Sequence, residues 1–139
     1  MSQDLRLSIL SPERRLVESI SVDEVTLTGS EGQIQILPGH APMIGTLRTG
    51  VFRFRSKGQE PVLGVISTGF FRVSGAEVQV MAETVELRSE IDVNRAKRAQ
   101  KLAEETLQAA DLDGHRFNKY QLKLQRSLIR QQVAGHEFQ

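Results

Sequence analysis

The chain changes from one hydrophobic period to another within residues 71–110, which read FRVSGAEVQVMAETVELRSEIDVNRAKRAQKLAEETLQAA. Up to about residue 87, apolar and polar residues alternate, which is the period of a half-buried β-strand. From Asp92 onward the apolar residues fall three and four apart, which is the period of an α-helix. The sequence therefore predicts a β domain over residues 1–87 and a helical domain over residues 88–139.

The alternating pattern extends through the whole β domain. It is carried by Leu5, Leu7 and Ile9, Val25 and Leu27, Ile34 and Ile36, Phe52 and Phe54, Phe71 and Val73, and Val78 and Val80. Residues 62–68, VLGVIST, are apolar on both faces, as expected of a strand that is covered on both sides. Turn residues such as Pro38–Gly39 and Ser74–Gly75 separate the strands. Eight or more short strands predict an antiparallel β-sandwich or a flattened barrel.

The helical domain carries a stripe of small residues on its first helix. The stripe consists of Ala96, Ala99, Ala103, Thr106 and Ala110. A second helix is predicted to begin after Asp113–Gly114, with one face formed by Phe117, Tyr120, Leu124 and Leu128. The short loop from Asp111 to Gly114 predicts an antiparallel two-helix hairpin. Because small side chains bury little area, we expect this hairpin to open without unfolding the β domain.

Several function classes lack their sequence requirements. The 139 residues include no cysteine, which excludes disulfides, thiolate-bound zinc and a cysteine nucleophile. No apolar run approaches the roughly 20 residues of a membrane-spanning helix, and the start, MSQDLRLSIL, has no signal-peptide core, so cytosolic residence is expected. Phosphate-loop, zinc-protease, hydrolase and dinucleotide motifs are missing. We therefore expect no enzyme activity, no metal and no required cofactor.

Positive charge is concentrated in the second helix. Residues 1–87 carry 8 basic and 10 acidic side chains, whereas residues 88–139 carry 10 basic and 7 acidic ones. Five cations recur at helical spacing without an intervening acid: Arg116, Lys119, Lys123, Arg126 and Arg130. They form either a solvated face or a docking strip for an acidic protein surface or a nucleotide. No nucleic acid is expected, because the strip lacks interleaved aromatic residues and the protein is nearly neutral.

The start of the first helix offers a second charged cluster. Asp92 is a candidate N-cap, with Ser89 as a competing one, and Glu86 and Arg95 lie nearby in the sequence. This cluster is either a structural cap with salt bridges or an anion site at a helix N-terminus. His40 lies in a turn between Pro38 and Pro42, where a lone histidine is typical of a structural or interface residue.

Residues 29–42 read GSEGQIQILPGHAP and are followed by Leu47, Gly50 and Gly69–Phe70. This pattern, with its LPGHAP core, resembles the epsilon subunit family of bacterial F-type ATP synthases, and the resemblance covers the full chain. The resemblance implies a non-catalytic rotor subunit of the central stalk, which couples proton translocation to ATP synthesis. It also implies that the protein is peripheral to the bacterial plasma membrane, at the cytoplasmic face, through its complex. By the same resemblance, Glu31, Gln33 and His40 contact the gamma subunit or the ring of c subunits.

The resemblance also assigns a regulatory role to the hairpin. Extended, it inhibits ATP hydrolysis by docking on the beta subunit through Lys119, Lys123, Arg126 and Arg130. Several members of the family bind ATP in the folded hairpin through a motif that Ile91, Asp92, Arg95 and Ala96 match. The resemblance adds Glu86, Arg126 and Arg130 to this predicted ATP site, with ATP as a regulatory ligand. One departure is Leu102, where nucleotide-binding relatives have a further arginine.

Two other interpretations stay open at this stage. In the first, the chain is a rotor subunit whose hairpin does not sense nucleotide, so that the motif at Ile91–Ala96 acts only as a helix cap. In the second, it is a free-standing β-sandwich adaptor, or a nucleic-acid-binding module, whose basic helical tail binds an acidic partner. Co-purification with the gamma subunit distinguishes a rotor subunit from a free-standing adaptor or nucleic-acid-binding module. A nucleotide titration distinguishes an ATP-sensing hairpin from one that does not sense nucleotide.

Overall fold

A computed structural model describes residues 4–109 and 112–135 of the chain. By its contacts the chain divides into two compact units, Met1–Leu87 and Arg88–Gln139. Ala110 of the predicted small-residue stripe and Asp111 of the predicted loop lie outside the described residues.

The first unit is built from short strands. Within the described residues its strands are β1 (Leu5–Leu10), β2 (Arg15–Val22), β3 (Glu24–Gly29), β4 (Gly32–Ile36), β5 (Met43–Leu47), β6 (Gly50–Arg55), β7 (Val62–Ile66), β8 (Gly69–Ser74), β9 (Glu77–Ala82) and β10 (Val85–Leu87). They form one continuous sheet in the order β10-β7-β6-β3-β5-β8-β9-β1-β2, with β4 paired to β3. Alternate residues from all parts of this sheet share one core, so the sheet forms a sandwich around it.

The strand pairing is antiparallel, as predicted, with one exception. β1 runs parallel to β9, with Leu7 opposite Val78 and Ile9 opposite Val80. A parallel pair cannot be joined by a tight turn. Here β1 begins the unit and β9 comes near its end, so the two strands meet without a local connection.

The predicted period-two residues form the core of the sandwich. Leu7, Ile9, Leu27 and Val80 are fully buried, and Ile34 is half-buried. The interpretation of residues 62–68 is also confirmed, because β7 is buried at four consecutive positions from Leu63 to Ile66. Its neighbours β6 and β10 cover its edges.

The second unit contains a short 3-10 turn at Arg88–Glu90 and two helices, α1 (Val93–Leu107) and α2 (Gly114–Ala134). The side chain of Asp92 accepts a hydrogen bond from the Arg95 N–H at 3.1 Å, which identifies Asp92 as the N-cap of α1. Asp113 caps α2 in the same way, through the Arg116 N–H at 2.8 Å. Both predicted helix starts are confirmed.

The end of α1 comes earlier than the small-residue pattern predicted. The pattern continues to Ala110, but α1 ends at Leu107. The N–H of Ala109 bonds to the carbonyl of Thr106 at 3.1 Å, an i to i−3 bond that tightens the last turn and closes the helix.

Two adjacent phenylalanines test the inward and outward faces of β8. Phe71 is fully buried against Gly45, whereas 49% of Phe70 is exposed. We expect Phe71→Ala to lower the free energy of unfolding by about 3–5 kcal/mol, because it leaves a cavity in the core. Phe70→Ala, the matched control, should cost less than about 1 kcal/mol. Urea unfolding measures both, and equal losses would contradict the assigned strand register.

Candidate functional site

The two helices of the hairpin meet through small and polar side chains. Ala96 and Ala103 of α1 are buried, as are Ser127 and Val133 of α2. Small residues allow the two helix backbones to approach closely, but they remove little apolar surface from water. The helix contact therefore combines the burial of small side chains with polar contacts.

A hydrogen bond between two glutamines joins the helices. The side-chain amide of Gln131 donates to the side-chain oxygen of Gln100 at 2.7 Å, and Gln131 is half-buried. The same amide also lies 3.3 Å from the Ser127 carbonyl on its own helix. A glutamine pair of this kind can exchange its partner for water when the helices separate, so it stabilises the hairpin only modestly.

The face of α2 that contacts α1 differs in part from the face formed by Phe117, Tyr120, Leu124 and Leu128. Phe117 and Leu128 are 41% and 45% exposed, whereas Ser127 is 99% buried. The face that meets α1 includes Ser127 and Gln131, which are four residues apart. Because both are polar, hydrophobic periodicity does not identify them as part of the contact.

A cavity of about 190 Å³ lies between α1 and α2. It is lined by Arg95, Ala99, Leu102 and Ala103 from α1 and by Tyr120, Lys123, Arg126 and Arg130 from α2. Four of these eight side chains are cations, and no carboxylate belongs to the described lining. The cavity, which we call the hairpin cavity, therefore has the charge of an anion site with a partly apolar wall.

The helices position these cations from two sides. Arg126 and Arg130 are one turn apart on α2 and half-buried, so their attraction for an anion is screened less than at an open surface. Arg95 comes from the first turn of α1. An anion in the cavity would therefore touch both helices at once.

The other predicted ATP-binding residues do not line the hairpin cavity. Asp92 caps α1, Ala96 is buried in the helix contact, and the Ile91 N–H bonds to the Arg88 carbonyl at 3.2 Å. Glu86 belongs to the first unit, on β10 opposite Val65. Among the described residues, the cavity thus gathers Arg95, Arg126 and Arg130 from the predicted set.

The predicted docking strip is divided by the cavity. Lys123, Arg126 and Arg130 line it, whereas Arg116 and Lys119 are exposed and do not. The sequence predicted Lys123 only as a docking residue, and it did not predict Tyr120 as part of a site. Positions 120, 123, 126 and 130 repeat at three and four residues and so share one helix face, but this pattern alone does not show that the face lines a cavity with α1.

In the first unit, Glu31 and Gln33 are exposed and His40 is half-buried. Glu31 lies in the turn before β4, Gln33 lies on β4 opposite Thr28, and His40 lies beyond the other end of that strand. These residues therefore belong to β4 and its two flanking turns rather than to a single loop. The His40 turn is fixed by a bond from its N–H to the Leu37 carbonyl at 3.1 Å, next to Gly39 at φ +85°.

The β unit also carries an apolar groove that sequence reasoning missed. Its volume is about 360 Å³, and its lining includes Leu10, Pro12, Phe70 and Met81. Met81 is opposite Phe70 on β8 and opposite Leu10 on β1, so the three form a row across the outer face. The sequence signal was the presence of Phe70 and Met81 at strand positions where alternation calls for polar residues. We call this surface the apolar groove.

The described residues contain no helix that is long and apolar enough to cross a membrane. In the same part of the chain, no group of three or more His, Cys, Asp or Glu side chains could hold a metal ion.

Comparisons with known proteins match both units. Residues 4–88 match the family model described as ATP synthase, Delta/Epsilon chain, beta-sandwich domain, and residues 89–135 match the one described as its long alpha-helix domain. An ATP synthase epsilon chain of Trichlorobacter lovleyi is 38% identical over 135 residues, covering 97% of this chain and 96% of the relative. One from Geobacter sulfurreducens is 36% identical with the same coverage.

Two solved structures share the fold. A chain of the Euglena gracilis mitochondrial ATP synthase aligns with a TM-score of 0.80 at 20% identity, covering 91% of this chain and 78% of that one. A chain of the central stalk and c-ring structure from Tetrahymena thermophila aligns with a TM-score of 0.68 at 12% identity, covering 96% and 98%. At these identities the likeness concerns the fold alone.

The glutamine bond across the hairpin gives a direct test of the helix contact. We expect Gln131→Ala to lower the free energy of hairpin opening by about 1 kcal/mol, because it removes the bond to Gln100. Amide hydrogen exchange in α1 and α2 should then be about fivefold faster. Gln132→Ala is the matched control, since Gln132 is exposed on the same helix. Equal exchange rates in the two variants would show that the bond does not hold the helices together.

Proposed function

The chain belongs to the delta/epsilon chain family of ATP synthase, and on that premise we propose that its hairpin is the ATP-sensing regulatory element of the rotor. Members of this family are accessory subunits of the central stalk and are not themselves catalysts. The sensing role is the further step, and it rests on the hairpin cavity. The observation that carries it is the presence of four cations and no carboxylate in the described lining of that cavity.

The cavity suits a nucleoside triphosphate better than a single small anion. Arg95, Arg126 and Arg130 can each form charge-assisted bonds to phosphate oxygens, and a guanidinium can do so through two parallel bonds. The side chains of Ala99, Leu102 and Tyr120 supply an apolar part of the lining on which a base could pack. Glu86, Ile91, Asp92 and Ala96 stay predicted contacts of the same ligand.

By bridging the two helices, ATP would control whether the hairpin is closed or open. A ligand shifts a conformational equilibrium only by its differential affinity for the two states. ATP that touches Arg95 on α1 and Arg126 on α2 binds well only when the helices are together. Because the helix contact is built from small and polar side chains, the separated state lies close enough in free energy for such a ligand to control it.

The separated hairpin would expose a different binding surface. Lys119, Lys123, Arg126 and Arg130 then present four cations to an acidic surface of the beta subunit, and this contact opposes ATP hydrolysis. The same arginines cannot serve the nucleotide and the beta subunit at once. ATP would therefore relieve inhibition by occupying the cations that the beta subunit needs.

The β unit would hold the protein in the rotor. The apolar groove fits a lasting contact with the gamma subunit, because an exposed apolar row on a sheet is typical of a protein interface. Glu31, Gln33 and His40, with the fixed turn at residues 37–40, are proposed to contact the c-ring. The protein would then be peripheral at the cytoplasmic face of a bacterial plasma membrane.

A rotor subunit with a non-sensing hairpin is the alternative, and calorimetric titration of the full chain separates the two. We expect saturable ATP binding, with and without Mg²⁺, that is stronger than ADP binding. Arg126→Ala should weaken ATP binding about tenfold or more, because it removes charge-assisted bonds to phosphate. Arg116→Ala removes the same charge from the same helix outside the cavity and should change affinity less than about twofold. Absence of binding at millimolar ATP, or equal effects of the two variants, would favour the alternative.

The apolar groove makes a separate prediction for the gamma subunit. Met81→Asp places a charge in the groove and should weaken binding to purified gamma at least about tenfold, because the carboxylate would be desolvated in the contact. Gln79→Asp is the control, since Gln79 is exposed on the same face of β9, two residues away and outside the groove. The affinity of each variant for immobilised gamma subunit is measured by surface plasmon resonance. Equal affinities of the two variants would show that the apolar groove does not contact gamma.

A further inference from the structure

We propose that Lys123 is a further phosphate-binding residue of the hairpin cavity and that the ring of Tyr120 orients it, a proposal that rests on the ATP-sensing function. Neither residue belongs to the helix-start motif or to the arginine pair that predicted the site. Both line the cavity. They would therefore belong to the sensor in the closed hairpin, while Lys123 would serve the beta subunit in the open one.

The contact between Lys123 and Tyr120 is a cation–π interaction. The Lys123 Nζ lies 5.0 Å from the centroid of the Tyr120 ring, inside the range in which the ring attracts an ammonium group. The two residues are three apart on α2, so they share a helix face. Tyr120 is half-buried, whereas Lys123 is exposed. The half-buried ring thus limits where a long, flexible side chain places its charge.

The neighbouring lysine shows the selectivity of this arrangement. Lys119 Nζ is 6.0 Å from the same ring centroid, at the limit of the range, and Lys119 does not line the cavity. The two lysines have the same charge, lie on the same helix and are both exposed. They differ in which of them reaches the cavity, so they form a natural pair of test and control.

The α1 side of the cavity has little positive charge opposite Lys123. Beyond Arg95, α1 contributes to the lining only Ala99, Leu102 and Ala103, none of which is charged. Leu102 is two turns along α1 from Arg95, about 10 Å along the helix axis. Because the helices are antiparallel, the later residues of α1 are nearer the earlier lining residues of α2. Lys123 is the first cation of α2 in the lining, and it supplies charge where α1 has none.

Lysine suits the edge of such a cavity. An ammonium group is a compact point charge that binds phosphate oxygens without the fixed planar geometry of a guanidinium. The Tyr120 ring lies beside the ammonium group and holds it at the cavity, while its N–H groups stay available to phosphate oxygens. We therefore expect Lys123 to add affinity for the phosphate chain and to leave base recognition unchanged.

Calorimetric titration of the full chain tests this with two probes, ATP and inorganic tripolyphosphate. Lys123→Gln should weaken the binding of both probes about tenfold, whereas Lys119→Gln should change it less than about twofold. Lys123→Arg keeps the charge and should retain most of the affinity. With tripolyphosphate, which has no base to pack on the ring, Tyr120→Leu should weaken binding about threefold to fivefold, and Tyr120→Phe, which keeps the ring, should weaken it less. Far-ultraviolet circular dichroism checks that each variant keeps both helices.

The outcomes separate this proposal from the ATP-sensing function. If the unmodified chain binds ATP and Lys123→Gln binds it as well as Lys119→Gln does, the role of Lys123 is overturned and the sensor stands. If tripolyphosphate binding depends on Lys123 but ATP is not bound in preference to ADP, Lys123 is supported and nucleotide sensing is contradicted. If the unmodified chain binds neither probe, both proposals fail.

Discussion

The close contact of small side chains between α1 and α2 is the constraint on which the helical unit depends. Ala96, Ala103 and Ser127 bring the helices together without filling the space along their whole length. The hairpin cavity occupies part of the space that is left, and cations from both helices line it. The small residues that weaken the helix contact therefore also leave room for the proposed ligand, whose binding would strengthen that contact.

The two units differ in how strongly their elements are held together. The β unit has a continuous core to which strands from every part of its sheet contribute, including Leu7, Phe71 and Val80. The hairpin buries small residues and is joined across its helices by the Gln100–Gln131 bond. Elements with few buried apolar contacts open at lower free energy than a sandwich core does. The β unit can therefore stay folded as an anchor for the rotor while the hairpin changes state.

Sequence patterns predicted local structure well, because local structure depends on near neighbours. Period-two alternation identified the core strands, and the caps Asp92 and Asp113 marked both helix starts. The parallel pairing of β1 with β9 could not be predicted in this way, because it joins residues about 70 positions apart in the chain. The face of α2 that contacts α1 could not be predicted from hydrophobic periodicity alone, because the polar residues Ser127 and Gln131 form part of it. The cavity lining at Tyr120 and Lys123 depends on the register between two helices, which one helix pattern alone does not contain.

A distance measurement between α1 and α2 tests the central claim, that nucleotide in the hairpin cavity holds the hairpin closed. The chain has no cysteine, so Lys97→Cys and Gln132→Cys create a single pair of sites for spin labels. Both positions are exposed, and they lie near the Gln100–Gln131 bond. Pulsed electron resonance should give a short, narrow distance distribution with saturating ATP and a longer, broader one without it. Identical distributions under the two conditions would contradict the account.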